Sequence, residues 1–298
     1  MIDAAPIALF VYNRPEHTRR TVEALLKNAP ASESDLFIFS DAAKSGQNGS
    51  DVQAVRAYIR SIAGFKSVTV IERAENLGLS KSIISGVTEI VSRFGRVIVL
   101  EDDLVTSPYF LEYMNRALDV YESDDRVASI HGYVYPVEGL PETFFLRGAD
   151  CWGWATWKRG WDLFEADGTK LLSALRERSL VSRFDFDGSY HFSTMLERQT
   201  KGETDSWAVR WYASAFLKDK LTLYPSRSLV DNIGQDASGT HKGNSDVYRA
   251  KLSENPIALQ KIPTKEDARA RQMIVRYFRS LKPGIFRRAA KKIGSFFS

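Results

Sequence analysis

Val97-Ile98-Val99-Leu100-Glu101-Asp102-Asp103 joins two unlike stretches, four consecutive aliphatic side chains and then three consecutive acids. An unbroken apolar run of this length, with no polar alternation, is the pattern of a strand buried on both faces. Such strands belong to the parallel sheets of α/β proteins, whose ligands bind just outside the carboxyl ends. The three acids stand at that end. Acids placed before a helix also favour the positive end of its dipole, which accounts for one of them well and for three poorly. Their hard carboxylate oxygens suit Mg²⁺ or Mn²⁺ held against a diphosphate.

Working outward, three more apolar runs precede this one, at Ile7–Val11, 36–40 and 68–71. Between them lie helix-length amphipathic stretches at 16–27, 52–62 and 80–93. Short β-rich runs separated by helices predict βαβ units with right-handed crossovers, hence a mostly parallel central sheet flanked by helices. Beyond Leu100 the rhythm changes. Ser107 as cap and Pro108 at the first position predict a helix over 108–121, with strands near 127–130 and 144–146. Residues 150–240 mix aromatics, glycines and charges without alternation, which suggests a half shaped around a substrate. The expected organisation is one body with residues 1–130 binding a donor, 131–268 binding an acceptor and carrying catalysis, and 269–298 forming a basic amphipathic tail.

Composition narrows the class. With 298 residues, 44% hydrophobic and 26% charged, the chain can bury a large core. Its first apolar run is too short for a signal peptide or membrane span, no later run is long enough to cross a bilayer, and Cys151 is the single cysteine. These features predict a reducing, cytoplasmic setting. The net charge of +4 hides an asymmetry, because residues 269–298 hold nine Lys or Arg and no acid. Ile285, Phe286, Ala289, Ala290, Ile293, Phe296 and Phe297 recur at helical spacing, opposite Arg287, Arg288, Lys291 and Lys292. That pattern suits residues 284–298 to an anionic membrane surface at the inner face of the plasma membrane, and equally to a helix docking on the body. No nucleic-acid motif accompanies the basic tail, and no nucleic-acid partner is expected.

Each of the first four strands ends in polar candidates: Asn13 and Arg14, then Asp41, then Asn76 and Gly78, then Glu101, Asp102 and Asp103. Neither a dinucleotide-binding glycine fingerprint nor a phosphate loop with GK[ST] follows the first strand, which disfavours dehydrogenases and P-loop enzymes. In their order these motifs resemble a GT-A-fold glycosyltransferase, most of all the N-acetylglucosaminyltransferase I type, and alongside it the bacterial surface-glycan enzymes. The resemblance spans roughly residues 6–245. It implies that Arg14 contacts the donor, that Asp41 lies near the nucleotide base, and that Asp103 binds the metal while Glu101 and Asp102 face the donor sugar and ribose. The implied donor is a nucleotide sugar, UDP-linked by preference, and the implied cofactor Mn²⁺ or Mg²⁺.

Glu203-Thr204-Asp205-Ser206-Trp207 is similar to the family segment in which an aspartate, two residues before a tryptophan, is the catalytic base, so Asp205 inherits that role and an inverting single displacement. An N-cap for the helix carrying Trp207 and Trp211 is the plainer alternative. The segment from Tyr224 through Gly234 to His241 resembles a loop closing over the donor, and His241 is a candidate metal ligand, a hydrogen-bond donor to the diphosphate or an exposed loop histidine. Asn76-Leu77-Gly78-Leu79-Ser80-Lys81 resembles a turn into a donor-facing helix, with Lys81 able to meet a phosphate. Trp152, Trp154 and Trp207 are candidates for stacking on acceptor sugars, against the default of aromatic core.

The eukaryotic relatives' secretory membrane anchor and cysteines have no counterpart here, so a cell-surface glycan or lipid-linked acceptor is the better expectation. Two other classes compete. A sugar nucleotidyltransferase would need a glycine-rich basic loop where Asn13-Arg14-Pro15-Glu16 stands. A non-catalytic carbohydrate-binding or membrane scaffold protein would rely on the tryptophans and the tail.

Overall fold

In the computed structural model, which describes residues 4–46, 48–234, 236 and 246–281, the aliphatic runs become the centre of one sheet. The N-terminal part alternates strand and helix as its hydrophobic pattern requires: β1 (Ile7–Val11), α1 (Pro15–Leu26), β2 (Asp35–Ser40), α2 (Ser50–Ile59), β3 (Ser67–Glu72), α3 (Leu79–Phe94) and β4 (Arg96–Glu101). β1 is buried along its whole length, and Val97 to Leu100 are equally enclosed. β1, β2, β3 and β4 pair in parallel, in the order β3-β2-β1-β4. Gly95, with φ of 76°, ends α3 in the left-handed conformation and turns the chain directly into β4.

The second half continues the same sheet. β5 (Leu104–Thr106), α4 (Phe110–Val120), β6 (Val127–His131), β7 (Thr143–Arg147), β8 (Trp154–Trp157), α5 (Lys158–Trp161), α6 (Gly168–Glu177), α7 (Val181–Phe184), α8 (Phe192–Thr200), α9 (Trp207–Leu217), β9 (Leu221–Pro225), β10 (Val230–Asn232) and α10 (Ala268–Leu281) follow. The eight-stranded order is β3-β2-β1-β4-β8-β6-β9-β7, with β8 and β7 antiparallel to their neighbours. Six of the eight strands therefore share one direction, and the mostly parallel α/β architecture is confirmed. β5 and β10 form a separate antiparallel ribbon.

Three local expectations are corrected. The helix expected from Pro108 begins at Phe110, because Ser107 to Tyr109 form a turn in which the Phe110 N–H donates to the Ser107 carbonyl. The Ser107 hydroxyl does not cap the helix; it donates to the Ser253 carbonyl at 2.7 Å. The tryptophan-rich segment expected to face sugars contains β8, inserted between β4 and β6. Trp154 is 1% exposed and packs on Trp161, Trp207 and Trp211 with ring centroids 5.6, 5.6 and 5.7 Å away. Trp207 is 3% exposed, so neither ring has a face left for an acceptor. These indoles form the core between the sheet and helices α3 and α9, and Trp154→Ala is expected to cost about 3–5 kcal/mol of stability. Urea denaturation checks this, and a cost near zero would place the ring outside the core.

The first part of the basic tail is α10. Ala270, Ile274, Val275 and Phe278 bury its apolar face in a core shared with Leu172 of α6, Leu196 of α8 and Phe216 of α9. Residues 284–298, expected to meet an anionic membrane, lie outside the described residues. Among the described residues no helix is long and apolar enough to cross a membrane.

Candidate active site

Because β1, β2, β3 and β4 run in parallel, the loops that follow them open on one edge of the sheet. Asp103 follows β4 and Arg14 follows β1, and the Arg14 guanidinium bridges the two acids: Nη2 donates to Asp102 and, at 2.9 Å, to Asp103. Asp102 is 4% exposed and also accepts from the Tyr12 backbone N–H at 3.3 Å. Burial works against the charge on Arg14, but Asp102 and Asp103 outweigh it and raise its pKa.

One guanidinium does not balance three carboxylates. Burial, and then the charges of Asp103 and Asp102, push the Glu101 carboxyl up against the opposing pull of Arg14. Burial likewise raises the Asp102 carboxyl, with Arg14 opposing and Asp103 adding to the rise. The strand end thus carries surplus negative charge in a partly desolvated place, which a divalent cation would neutralise. Gly234 backs closely onto it: a Cβ there would overlap the Asp103 carboxylate and crowd Arg14. β10 holds this glycine in place, since the Ile233 N–H donates to the Asp103 carbonyl and the Gly234 N–H to the Asn232 side chain, both at 2.9 Å.

These residues fit a hard cation through Asp103. Among the described residues no group of three His, Cys, Asp or Glu side chains forms a complete metal cage, so diphosphate and water oxygens would supply the remaining ligands. His241 lies outside the described residues. Arg14→Met would leave two acids without their cation. We expect a loss of about 3 kcal/mol, at the low end for a broken buried pair because solvent reaches Arg14. Chemical denaturation measures it, and a loss below about 0.5 kcal/mol, the scale of a surface pair, would contradict the geometry.

Asp41 organises a loop. Its carboxylate accepts from the N–H groups of Ala42, Leu77 and Gly78, each at 2.9 Å, and so ties the end of β2 to the turn before α3. Asn76 closes the same junction by donating to the Ala42 carbonyl at 2.6 Å. Gly78 adopts φ of 74° there. Asn13 is partly exposed beside Arg14, and Lys81 is exposed on the first turn of α3.

Asp205 reaches the same neighbourhood through Arg210. The Arg210 guanidinium donates to Asp205 Oδ1 at 2.9 Å, to Ser80 Oγ at 2.6 Å, and to the carbonyls of Ser206 and Ala166. Ser80 lies in the first turn of α3, two residues beyond Gly78, so Asp205 stands near the loop that Asp41 holds. The N-cap of α9 is Ser206, whose hydroxyl accepts from the Val209 N–H. Asp205 is therefore free of capping, and its side chain is 65% exposed.

Beside Tyr224 and Trp152, which the sequence already singles out, the structure brings His131, Asp150 and Arg210, which no local motif marked. β6 and β9 run in the direction of β4, so His131 and Tyr224 lie at the same sheet edge, and the segment before β8 brings Asp150 and Trp152 to it. Tyr224 Oη donates to Asp150 Oδ2 at 3.2 Å. Arg210, 9% exposed on its side chain, is the other addition. Only the strand pairings, distant in sequence, reveal them.

Comparison with known proteins reaches part of the chain. Residues 7–145 match the family model described as Glycosyl transferase family 2. Among solved structures, the chain is similar to the mannosyltransferase PcManGT from Pyrobaculum calidifontis in complex with GDP-Man and Mn²⁺, at 15% identity and a TM-score of 0.32. That match covers 45% of this chain and 39% of the mannosyltransferase, so this chain spans well under half of its neighbour's length. No curated protein matches significantly. The parallel strands β1 to β4 and the acids that end β4 all lie within residues 7–145, the part of the chain that matches the glycosyl transferase family 2 model.

Proposed function

We propose that the protein transfers a sugar from a nucleotide-sugar donor to a hydroxyl of a glycan or lipid-linked acceptor, with inversion, in cell-surface polysaccharide synthesis. The observation that carries this reading is the Arg14–Asp102–Asp103 constellation at the end of β4, with its surplus negative charge and the close approach of Gly234 to it. Asp103 would hold Mn²⁺ or Mg²⁺, which when bound supplies positive charge to the departing nucleoside diphosphate. Arg14 fixes the carboxylates and adds a fork of donors at the diphosphate. Asp41 and Asn76 shape the β3–α3 loop beside the nucleotide.

Asp205 takes the proton of the acceptor hydroxyl as its oxygen attacks the anomeric carbon, and the bond to the diphosphate breaks on the opposite face. Arg210 holds that carboxylate in place. The ordered motifs favour a UDP-sugar donor, and the basic segment 284–298 would bring the enzyme to an anionic membrane on its cytoplasmic side. The test is release of nucleoside diphosphate from UDP-, GDP- and dTDP-sugars by the purified protein, with Mn²⁺ and after chelation. Metal-dependent release from one nucleotide class is expected. No release from any donor, with or without an added glycan acceptor, would overturn the reading.

A further inference from the structure

We propose that Asp150, with Trp152, Tyr190 and Tyr248 about its open edge, forms an acceptor subsite that takes neighbouring hydroxyls of a pyranose ring. The proposal deepens the glycosyl-transfer reading above and rests on it for the word acceptor. Its starting point is register. Val99 pairs with Trp154, and the Gly132 N–H donates to the Gly153 carbonyl at 2.7 Å, so residues 150–153 run past the end of β4 where Glu101 to Asp103 begin. Asp150 thus lies on the donor edge of the sheet, across β8 from the acids.

The surroundings of Asp150 are those of a ligand site more than of a structural ion pair. Among the described residues no Lys or Arg pairs with it; its oxygens accept from the Cys151 N–H at 2.8 Å and from Tyr224 Oη at 3.2 Å, and the Cys151 thiol also hydrogen-bonds to it. Behind it stands His131, wholly buried, with Nε2 at 3.4 Å from Asp150 Oδ2 and with neither ring nitrogen hydrogen-bonded among the described residues. Burial lowers the His131 pKa, with Asp150 opposing, and so favours the uncharged ring beside Asp150. The Asp150 side chain nevertheless keeps 24% of its surface open. A partly buried carboxylate with an open face and, among the described residues, no Lys or Arg partner has lone pairs left for the hydroxyls of a ligand.

The rim explains what would use them. Tyr133 packs edge-on against Trp152 with centroids 4.7 Å apart, Trp152 against Tyr248 at 6.3 Å, and Tyr248 Oη meets Tyr190 Oη at 3.4 Å. Trp152, Tyr190 and Tyr248 are each partly exposed. Aromatic faces take the C–H face of a sugar, and a carboxylate accepts from two neighbouring hydroxyls at once. Asp205, ion-paired and largely exposed, is suited to moving a proton; Asp150, recessed and rigid, is suited to orienting the ring that bears the hydroxyl.

The experiment uses the full chain with UDP and Mn²⁺ present, and follows methyl α- and β-glycosides of glucose, galactose, mannose and N-acetylglucosamine by saturation-transfer NMR. Wild type is expected to bind at least one, and Asp150→Asn to weaken it by about tenfold or more, while UDP affinity and melting temperature are kept. Trp152→Ala reads the same subsite and is expected to weaken the same glycoside, which covers the case of a poorly folding Asp150 variant. A wild type that binds none of the glycosides, or an Asp150→Asn that melts lower yet binds the glycoside unchanged, would overturn the proposal and mark Asp150 as a brace between strands. Glycoside binding lost in Asp150→Asn, in a protein that binds no nucleotide, would support the subsite and sink the donor reading separately.

Discussion

Asp103→Ala is expected to lower transfer by about a hundredfold or more, in line with the loss of a group that stabilises developing charge at the leaving diphosphate. The reasoning is electrostatic. Asp103 is the acid at the outer end of the β4 turn, with 15% of its side chain exposed and one oxygen shared with Arg14. It is the carboxylate of the three best placed to give an oxygen to a cation while its neighbour Asp102 stays inside. The stability of the fold should change little or even rise, because the substitution removes one charge from a site already too negative. Steady-state rates with saturating Mn²⁺ and a melting curve separate the two effects. A variant that keeps more than about a third of wild-type kcat/KM would remove Asp103 from the metal site.

Asp205→Asn is expected to cost about a hundredfold to ten-thousandfold in kcat, the range for losing a general base, with donor binding kept. The amide preserves shape and can still accept from Arg210 through its carbonyl oxygen, so the geometry of the α9 entry should survive. Donor affinity by calorimetry and transfer by product detection test this together. Equal loss of donor binding would mean that Asp205 acts through Arg210 and Ser80 on the α3 loop, not on the acceptor proton.

The first four strands were legible because each is a short, purely apolar run between helical stretches, and such a pattern has few other solutions. β8 was not. Trp154-Ala155-Thr156-Trp157 is a four-residue strand whose large indoles look like a binding platform until Val99 and His131 are seen to pair with it on either side. β9 was hidden for a related reason: Leu221 to Pro225 sits in an irregular stretch, and only its parallel pairing with β6 makes it a strand. The start of α4 lies two residues beyond Pro108, where Ser107 has found a partner 146 residues away at Ser253.

The candidate site divides along the same line. Residues immediately after a strand, such as Arg14, Asp41 and Asp103, could be placed at one edge by the parallel-sheet rule alone. That Arg14 clasps both Asp102 and Asp103, and that Asp41 spends its oxygens on the turn at Leu77 and Gly78, needed coordinates. His131 and Asp150 carry no local signature, since their proximity is set by β6 and β8 crossing the sheet in an order unrelated to the chain, and Arg210 is revealed only by its reach from α9 to Ser80 and Asp205.

The central claim is that the acids ending β4 hold a nucleotide sugar through a metal. Thermal stabilisation by UDP-, GDP-, CMP- and dTDP-sugars, with and without Mn²⁺, in wild type and Asp103→Ala, tests it most directly. The account predicts a rise in melting temperature for one nucleotide class that requires Mn²⁺ and disappears in the variant. A rise independent of metal and unchanged in Asp103→Ala, or no rise with any donor, would contradict it.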